Sequence, residues 1–271
     1  MPKTVLITGA STGIGYETAR LFQQKGWNVV ATMRSPEKAV DLANLPNVVC
    51  LPLDVTDTNS IQQAVANALQ QFQIIDVLVN NAGYALIGAF EACTSEEIQR
   101  QFATNVFGLM EVTRALLPHF RERRAGLIVN IASVGGRIAI PLYSPYHATK
   151  WAVEGFSESL QYELEPFNIR VKIIEPGPIK TDFYTRSLTF AKQAGFTAYD
   201  AFVEKVMPAH HRAGETGSPP SVTAQVIYKA ATDGTSKLRY PAGGNASAIL
   251  LMRKLLPDGL FRQIIRSAML G

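Results

Sequence analysis

Tyr146 and Lys150 stand four residues apart in the segment YHATK, at the start of a predicted helix. Residues with this spacing share one face of a helix, so the lysine ammonium is expected beside the tyrosine phenol. A neighbouring cation lowers the pKa of a tyrosine from its ordinary value of about 10, and the phenol can then exchange a proton with a substrate oxygen near neutral pH. The spacing alone is weak evidence in a chain with nine tyrosines.

Two polar residues strengthen this interpretation. Ser133 ends the predicted strand before Tyr146, so its hydroxyl is expected to face the same crevice and to hydrogen-bond the substrate oxygen. Asn105 lies in the middle of a predicted helix, in ATNVFG, where asparagine is a poor helix former and suggests a functional or water-binding role. Taken singly, a turn residue and a bend residue are the simpler interpretations.

A glycine-rich turn follows the first predicted strand. Gly9, Gly13 and Gly15 lie in TGASTGIG, between that strand and a helix. Glycines there let the backbone approach a pyrophosphate, whose charge the unpaired amides of the helix N-terminus can hold. The spacing differs from the commoner G-x-G-x-x-G, and a purely structural turn is the alternative. The position after the first strand favours dinucleotide binding.

Arg34 lies at the end of the second predicted strand, where NAD-specific sites place an acidic residue on the ribose hydroxyls. Residues 32–35 contain no acid, and Arg34 is suited to pair with a 2′-phosphate instead. A solvated surface arginine is the alternative. The missing acid and the present base together favour NADP(H), with NAD(H) as the second choice.

Apolar, β-rich runs alternate with segments of helical periodicity along the chain, which predicts a parallel sheet with helices on both faces. The predicted strands are residues 4–8, 28–33, 48–53, 77–81, 127–131, 170–175 and 238–240. The predicted helices are residues 14–25, 58–72, 95–121, 145–165 and 220–233. We therefore expect one α/β domain over residues 1–271, a Rossmann-type, doubly wound fold with a mostly parallel seven-stranded sheet. Residues 178–220 are expected to form a substrate-loop insertion over the ligand-binding edge, and residues 241–271 a C-terminal helical tail.

Composition narrows the class of protein. Two cysteines, Cys50 and Cys93, are too few for disulfides to stabilise a chain of 271 residues, and they fit no metal-binding spacing. A reducing, cytoplasmic setting is therefore expected. The segment MPKTVLITGA resembles no export leader, and no run approaches the ~20 apolar residues that cross a bilayer. Residues 222–271 carry seven basic and two acidic residues, a net charge of +5, so the first 221 residues carry −1 and the whole chain +4. A nucleic-acid-binding face spread over the fold is therefore not expected.

Together these motifs resemble the short-chain dehydrogenase/reductase family, in its branch with a TGxxxGxG turn. The similarity covers the first 181 residues, through TGASTGIG, LDV, NNAG, Asn105, Ser133, YHATK and PGPIKT in the expected order. Several independent motifs in register make the resemblance specific. It implies a Rossmann-type oxidoreductase that transfers a hydride between a nicotinamide dinucleotide and a carbonyl or alcohol.

The resemblance also implies roles for single residues. Asn105, Ser133, Tyr146 and Lys150 match the catalytic tetrad of the family. Tyr146 would donate or accept the proton, and Ser133 would orient the substrate oxygen. Lys150 would lower the tyrosine pKa and hold the nicotinamide ribose, while Asn105 would anchor a water that relays protons to Lys150.

The cofactor-binding residues implied by the family motifs follow the strand ends. They are Gly9, Ser11, Thr12, Gly13, Ile14, Gly15, Arg34, Asp54, Val55, Asn81, Ala82, Gly83, Tyr146, Lys150, Pro176, Gly177, Ile179 and Thr181. Asp54 and Val55 would contact the adenine, and residues 176–181 would lie beside the nicotinamide. NADP-preferring relatives often carry a basic residue in the glycine turn, where this chain has Ser11 and Thr12, so the NADP(H) prediction rests mainly on Arg34.

Beyond residue 181 the resemblance narrows to the group that contains 17β-hydroxysteroid and retinol dehydrogenases, on GGRIAIPLYSPYHATKWAVEGFSESL and LRYPAGGNA. This narrower resemblance implies a bulky hydrophobic carbonyl or alcohol, steroid- or retinoid-like. The resemblance to the family as a whole implies a homodimer or homotetramer formed through the helices at 95–121 and 145–165. Ordinary packing explains the apolar candidates for the substrate pocket equally well. These candidates are Leu86, Ile140, Leu142, Phe183, Tyr184 and Phe190.

Other features carry weaker predictions. His210 and His211 lack a third ligand at metal spacing, so no metal site is predicted. The basic, amphipathic segment ILLMRKLLPDGLFRQIIRSAML favours a lid or packing helix over contact with a membrane surface. Two further functions stay open on the same fold: a non-catalytic NADP-binding sensor or scaffold, and an epimerase or dehydratase with a tightly held cofactor.

Overall fold

The computed structural model describes residues 2–184 and 187–270, and for Tyr184 the backbone alone. The strands in this part of the chain are β1 Thr4–Thr8, β2 Asn28–Met33, β3 Val48–Pro52, β4 Val77–Asn80, β5 Ala85–Ile87, β6 Gly126–Ile131, β7 Ile169–Pro176, β8 Leu188–Phe190 and β9 Arg239–Ala242. The main sheet contains seven of them, all parallel, in the order β3-β2-β1-β4-β6-β7-β9. The predicted seven-stranded, doubly wound α/β fold is confirmed.

Helices connect the strands, as parallel neighbours require. They are α1 Gly13–Gln24, α2 Val40–Ala43, α3 Thr58–Phe72, α4 Ser95–Phe102, α5 Gly108–Arg123, α6 Ser144–Leu164, α7 Asp200–Thr216, α8 Pro220–Thr232, α9 Ala246–Leu255 and α10 Asp258–Leu270. The helix predicted as one segment at 95–121 is interrupted by a π turn, Ala103–Phe107, between α4 and α5.

Different helices cover the two faces of the sheet, because successive strand side chains point to opposite faces. On one face, Val5 and Ile7 of β1 pack in a cluster with Phe22 of α1 and Ile227 of α8. On the other, Leu6 of β1 packs with side chains from α3, α5 and α6. The helices thus bury both faces and leave the strand ends accessible.

The strand order reverses between β1 and β4. From β1 the chain adds β2 and β3 on one side, then returns to place β4 on the other. The connections that follow β1 and β4 therefore run to opposite faces of the sheet and open a crevice at the carboxyl ends of the strands, where folds of this type bind ligands.

A second, two-stranded parallel sheet joins β5 and β8, with Ala85 beside Leu188. The sequence pattern predicts neither strand, because three residues are too few to show an alternation. The segment 178–220 supplies β8 and also α7, and α10 of the tail packs against α7. None of the helices in the described part of the chain combines the length and hydrophobicity of a bilayer-spanning segment.

Candidate active site

A cavity of about 910 Å³ opens at the carboxyl ends of the main-sheet strands. One part, which we call the turn side, is lined by the turns that follow β1 to β4, including Gly9, Arg34 and Val55. The other part, which we call the insertion side, is lined by the loop between β6 and α6, by the segment 178–220 and by α10, including Ile140, His210 and Met269. All the predicted cofactor-binding residues line this cavity except Gly15.

The glycine turn is a backbone-lined surface. Gly9 and Gly13 adopt left-handed φ angles of 66° and 59°, which side-chain-bearing residues rarely adopt. Gly15 lies beneath the turn, where a Cβ would stand 2.4 Å from the carbonyl oxygen of Gly9. Gly15 therefore lets α1 pack closely under the turn and does not itself reach the cavity.

Asn81 ties the end of β4 to the same turn. Its Nδ2 donates to the carbonyl oxygens of Thr8 and Gly9 at 2.9 and 3.0 Å. The Thr8 hydroxyl accepts from the backbone amides of Asn81 and Ala82, both at 3.0 Å. This network fixes the spacing between the glycine turn and the loop after β4 on the two sides of the crevice.

Two cations lie beyond the end of β2. Arg34 and Lys38 are both exposed and both line the cavity, as do Leu53 and Asp54 just after β3. Lys38 was not predicted from the sequence, although a second basic residue four positions after Arg34 was the available signal. These cations give the turn side a positive rim.

The cavity walls fit a nicotinamide dinucleotide. The N-terminal amides of α1 open toward it, and a Cβ on Gly13 would project to within 3.4 Å of the Thr181 side chain, filling a cradle that the glycine leaves clear. A diphosphate needs such a bare backbone and a helix N-terminus.

Tyr146 and Lys150 lie at the junction of the two sides, in the first turns of α6. Both are buried, and the Lys150 ammonium stands 5.8 Å from the centre of the Tyr146 ring. Lys150 Nζ donates to the carbonyl oxygen of Ile131 at 2.8 Å, at the end of β6. Burial lowers the pKa of Lys150 to about 8, against the opposing charge of Glu154.

Ser133 lies at the same junction, two residues past β6. Its Oγ accepts from the amide of Gly135 at 3.0 Å and lies 3.4 Å from the carbonyl oxygen of Pro176. The hydroxyl is thus held between a turn and the end of β7. Ser133, Tyr146 and Lys150 all line the cavity.

Asn105 lies in the π turn and is almost completely buried. Its Nδ2 donates to the carbonyl oxygen of Tyr84 at 2.9 Å and to the Thr149 hydroxyl at 3.2 Å, while its Oδ1 accepts from the Tyr84 amide at 3.1 Å. The side chain thus links the loop after β4 to α6. Asn105 does not line the cavity, unlike the other three tetrad candidates.

His147, which was not predicted from the sequence, is hydrogen-bonded at two points to the loop after Ser133. Its Nδ1 donates to the carbonyl oxygen of Gly135 at 2.8 Å, and its Nε2 accepts from the amide of Ile140 at 3.1 Å. Burial lowers the pKa of His147 to about 4, so the ring is neutral near pH 7 and can accept with one nitrogen while it donates with the other. Nothing in the sequence distinguishes this histidine from a surface one.

Of the apolar candidates for the substrate pocket, Ile140 and Phe183 line the cavity. Leu86 does not, because strand alternation turns Ala85 and Ile87 toward Tyr146 and Leu86 away from it. Phe190 is 37% exposed, and its neighbour in β8, Thr189, lines the cavity instead.

Leu142 adopts a left-handed φ of 69° and is buried without lining the cavity. The side chain of Tyr184 lies outside the described residues. The insertion side contains further lining residues that the sequence analysis did not select. They are Ile138, Tyr143, Asp182, Ser187, Thr189, Ala209, His210, Ala213 and Met269.

His210 lies on α7 and is hydrogen-bonded through Nδ1 to the Tyr143 hydroxyl. Burial and the neighbouring His211 lower the pKa of His210 to about 4. No group of three or more His, Cys, Asp or Glu side chains placed to hold a metal ion occurs within residues 2–184 and 187–270.

Comparisons with known proteins identify a family and several relatives of similar sequence. Residues 3–190 match the family model described as short chain dehydrogenase. The 3-ketodihydrosphingosine reductase of Bacteroides thetaiotaomicron is 35% identical over 269 residues, covering 98% of this chain and 97% of that protein.

Solved structures are similar over nearly the whole chain. A short-chain dehydrogenase from Streptomyces avermitilis matches with a TM-score of 0.84 and 36% identity, over 97% of this chain and 94% of that one. ElxO with NADP bound matches with a TM-score of 0.74 and 25% identity, over 92% of this chain and 100% of that one. A 3-ketoacyl-(acyl-carrier-protein) reductase from Brucella melitensis, complexed with NADH, matches with a TM-score of 0.75 and 27% identity. The match covers 90% of this chain and 98% of that one. Similar proteins therefore bind nicotinamide cofactors with and without the 2′-phosphate.

Proposed function

Because the chain belongs to the short-chain dehydrogenase/reductase family, we propose that it is an NADP(H)-dependent oxidoreductase acting on a bulky hydrophobic substrate. It would interconvert a secondary or primary alcohol and the corresponding ketone or aldehyde, steroid- or retinoid-like in size. The observation that carries this proposal is the meeting of Ser133, Tyr146 and Lys150 in one cavity, between a turn side suited to a dinucleotide and a partly apolar insertion side.

Tyr146 is the proposed general acid and base. When bound, the nicotinamide supplies or accepts a hydride, and the substrate oxygen must gain or lose a proton in step with it. The Tyr146 phenol lies at the junction of the two sides and is shielded from bulk water by the rings of Tyr143 and Phe183, whose centroids are 6.0 and 5.4 Å away. A phenol so placed can deliver the proton to a substrate oxygen.

The other tetrad residues support that proton transfer. The ammonium of Lys150 favours the phenolate form of Tyr146 electrostatically and would hold the nicotinamide ribose. The Ser133 hydroxyl would hydrogen-bond the substrate oxygen, and Asn105 would anchor the water that relays protons to Lys150. The buried contacts of Asn105 with Tyr84 and Thr149 support a role in shaping this region.

The preference for NADP(H) rests on the end of β2. Arg34 and Lys38 line the turn side where an acidic side chain would exclude a 2′-phosphate. A phosphate group placed there would gain charge-assisted hydrogen bonds that NADH cannot make. NAD(H) is the alternative cofactor.

A bulky hydrophobic substrate suits the insertion side. Ile138, Ile140, Phe183 and Met269 supply apolar walls. The Bacteroides relative is named for the reduction of 3-ketodihydrosphingosine, which supports a carbonyl substrate here. We propose that α10 closes this side as a packing helix, since Met269 lines the cavity and Phe261 is buried.

A homodimer or homotetramer is the proposed assembly. Large aromatic side chains are exposed beside α5 and on α6: Phe107 at 58%, Trp151 at 48% and Tyr162 at 67%. A second copy packed on these helices would bury them. Sedimentation velocity checks this, and a monomer at micromolar concentration would contradict it.

A screen of carbonyl compounds of graded size tests the catalytic proposal. The purified protein should consume NADPH in step with product, with kcat/KM rising from small ketones to bulky apolar ones. Tight NADPH binding without turnover on any compound would favour a sensor. Product formation without net NADPH consumption would favour an epimerase or dehydratase.

A further inference from the structure

A buried acid lies one helical turn beyond Lys150. Tyr146, Lys150 and Glu154 follow one another at intervals of four residues along α6, and all three are buried. This spacing places them on one stripe of the helix. Gly136 packs against the same stripe, since a Cβ there would lie 2.9 Å from Glu154 Cγ and 2.9 Å from the carbonyl oxygen of Lys150. The turn that begins at Ser133 therefore rests on this part of α6.

Arg239 of β9 holds the Glu154 carboxylate. Its Nε donates to Glu154 Oε2 at 2.9 Å, and its Nη2 donates to Glu158 Oε2 at 2.5 Å. The Glu154 side chain is 5% exposed, whereas that of Glu158 is 52% exposed. Glu154 Oε1 has no hydrogen-bond partner among the described residues. Burying a carboxylate with one oxygen unpaired costs stability, and a purely structural ion pair with Arg239 would not require it.

A second buried acid, Glu175 at the end of β7, completes the cluster. Its Oε1 lies 3.4 Å from Nη1 of Arg137 and 4.0 Å from Nε of Arg239. Burial first, and then the charge of Glu175, raise the pKa of Glu154 to about 7. Burial also raises the pKa of Glu175, against the attraction of Arg137, Arg239 and Lys237. The carboxylate charge one turn of α6 beyond Lys150 is therefore poised to change near neutral pH.

We propose that Glu154 is a positioning residue of the active site: its carboxylate, held by Arg239, is the counter-charge that keeps Lys150 protonated. The inference rests on the proposed role of Lys150 beside Tyr146. The Lys150 ammonium is buried, and the charge of Glu154 opposes the resulting fall in its pKa. Without the carboxylate, the ammonium would lose its proton at a lower pH.

The direct test follows the protonation of Lys150 itself. In protein labelled with ¹³C-lysine, the Cε resonance of Lys150 is assigned by its absence from Lys150→Met and is titrated with pH. Glu154→Gln should lower the midpoint by about one pH unit, and Glu154→Asp should recover most of that shift. Glu158→Gln is the matched control, because it also removes one negative charge from α6 that is hydrogen-bonded to Arg239. It should leave the midpoint at the wild-type value.

An unchanged midpoint in Glu154→Gln, or an equal shift in Glu158→Gln, would overturn the proposal. If Glu154→Gln does not fold, Arg239→Gln provides the second test. It removes the guanidinium that holds Glu154 ionised and should lower the Lys150 midpoint in the same direction. An unchanged midpoint in Arg239→Gln would also overturn the proposal.

Turnover separates this inference from the proposed function. A Lys150 pKa lower by one unit leaves about fivefold less ammonium at pH 8 and nearly the same amount at pH 6. In Glu154→Gln, kcat should therefore fall about fivefold at pH 8 and little at pH 6. A lowered midpoint with full turnover at pH 8 would support the coupling of Glu154 to Lys150 and contradict the catalytic role of Lys150.

Discussion

The turn side and the insertion side of the cavity are built in different ways. The turn side is formed by backbone at strand ends, where Gly9 and Gly13 have left-handed φ angles and Asn81 fixes the width of the crevice. The insertion side is formed by side chains from distant segments, such as Phe183, His210 and Met269. A diphosphate can be held by bare backbone at a helix N-terminus, which suits the turn side. We expect the choice of substrate to depend on the side chains of the insertion side.

Lys150 lies where the two sides meet, so its loss should affect both. Lys150→Met should lower turnover by about a thousandfold, within the range of general acid–base contributions, and should also weaken NADPH binding. Steady-state kinetics and fluorescence titration measure the two effects. A loss of turnover alone, or of NADPH affinity alone, would contradict the position of Lys150 at the junction of the two sides.

The same variant tests the burial of the ammonium. The pKa of Lys150 is lowered from 10.5 to about 8, so between these values the unfolded chain holds a proton that the folded protein has released. The cost of burial is fully present below pH 8 and declines as the pH rises toward 10.5. Wild-type stability relative to Lys150→Met should therefore rise by up to about 3 kcal/mol across this window. The free energies of unfolding of both proteins are measured by urea denaturation. If the difference between wild type and Lys150→Met is the same at pH 7 and pH 10, the burial of the ammonium is contradicted.

Arg34→Ala should affect the turn side alone. Losing charge-assisted hydrogen bonds to a 2′-phosphate should weaken NADPH binding by about tenfold to a hundredfold and leave NADH binding unchanged. Arg20→Ala is the matched control, because Arg20 is exposed on α1 and does not line the cavity. Equal losses for NADPH and NADH, or a wild-type preference for NADH, would remove the argument for NADP(H).

Ile140→Ala should affect the insertion side alone, with the smallest change. The lost apolar surface, worth about 1 kcal/mol, should lower kcat/KM for a bulky ketone by roughly fivefold without changing the Kd for NADPH. Ile74→Ala removes the same atoms from a partly exposed position that does not line the cavity, and should change neither value. A shift in cofactor affinity in Ile140→Ala would show that the two sides are not separable.

The contrast between the sides also explains what the sequence could predict. Parallel strands such as β1 and β2 have predicted and observed bounds that coincide, and the family membership predicted from the motifs is confirmed. These features depend on local apolar runs and on glycines required by the backbone. The β5–β8 pairing and the π turn at Asn105 depend on contacts between distant segments, which local patterns do not encode.

Side-chain partners were the least predictable feature of the site. His147 braces Gly135 and Ile140, and Arg239 reaches Glu154 from the last strand of the sheet. No spacing in the sequence relates these residues, because their neighbours come from the folding of the chain around the cavity. The apolar candidate Leu86 illustrates the same limit, since the facing of a three-residue strand is set by its partner.

The most direct test of the account is the turnover of Tyr146→Phe, measured with NADPH and the best ketone from the graded panel. The substitution keeps the ring that packs against Tyr143 and Phe183 and removes only the hydroxyl. Turnover should fall by about a hundredfold or more while the Kd for NADPH stays at its wild-type value. Turnover near the wild-type rate, with NADPH still bound, would contradict the role of Tyr146 as the acid and base.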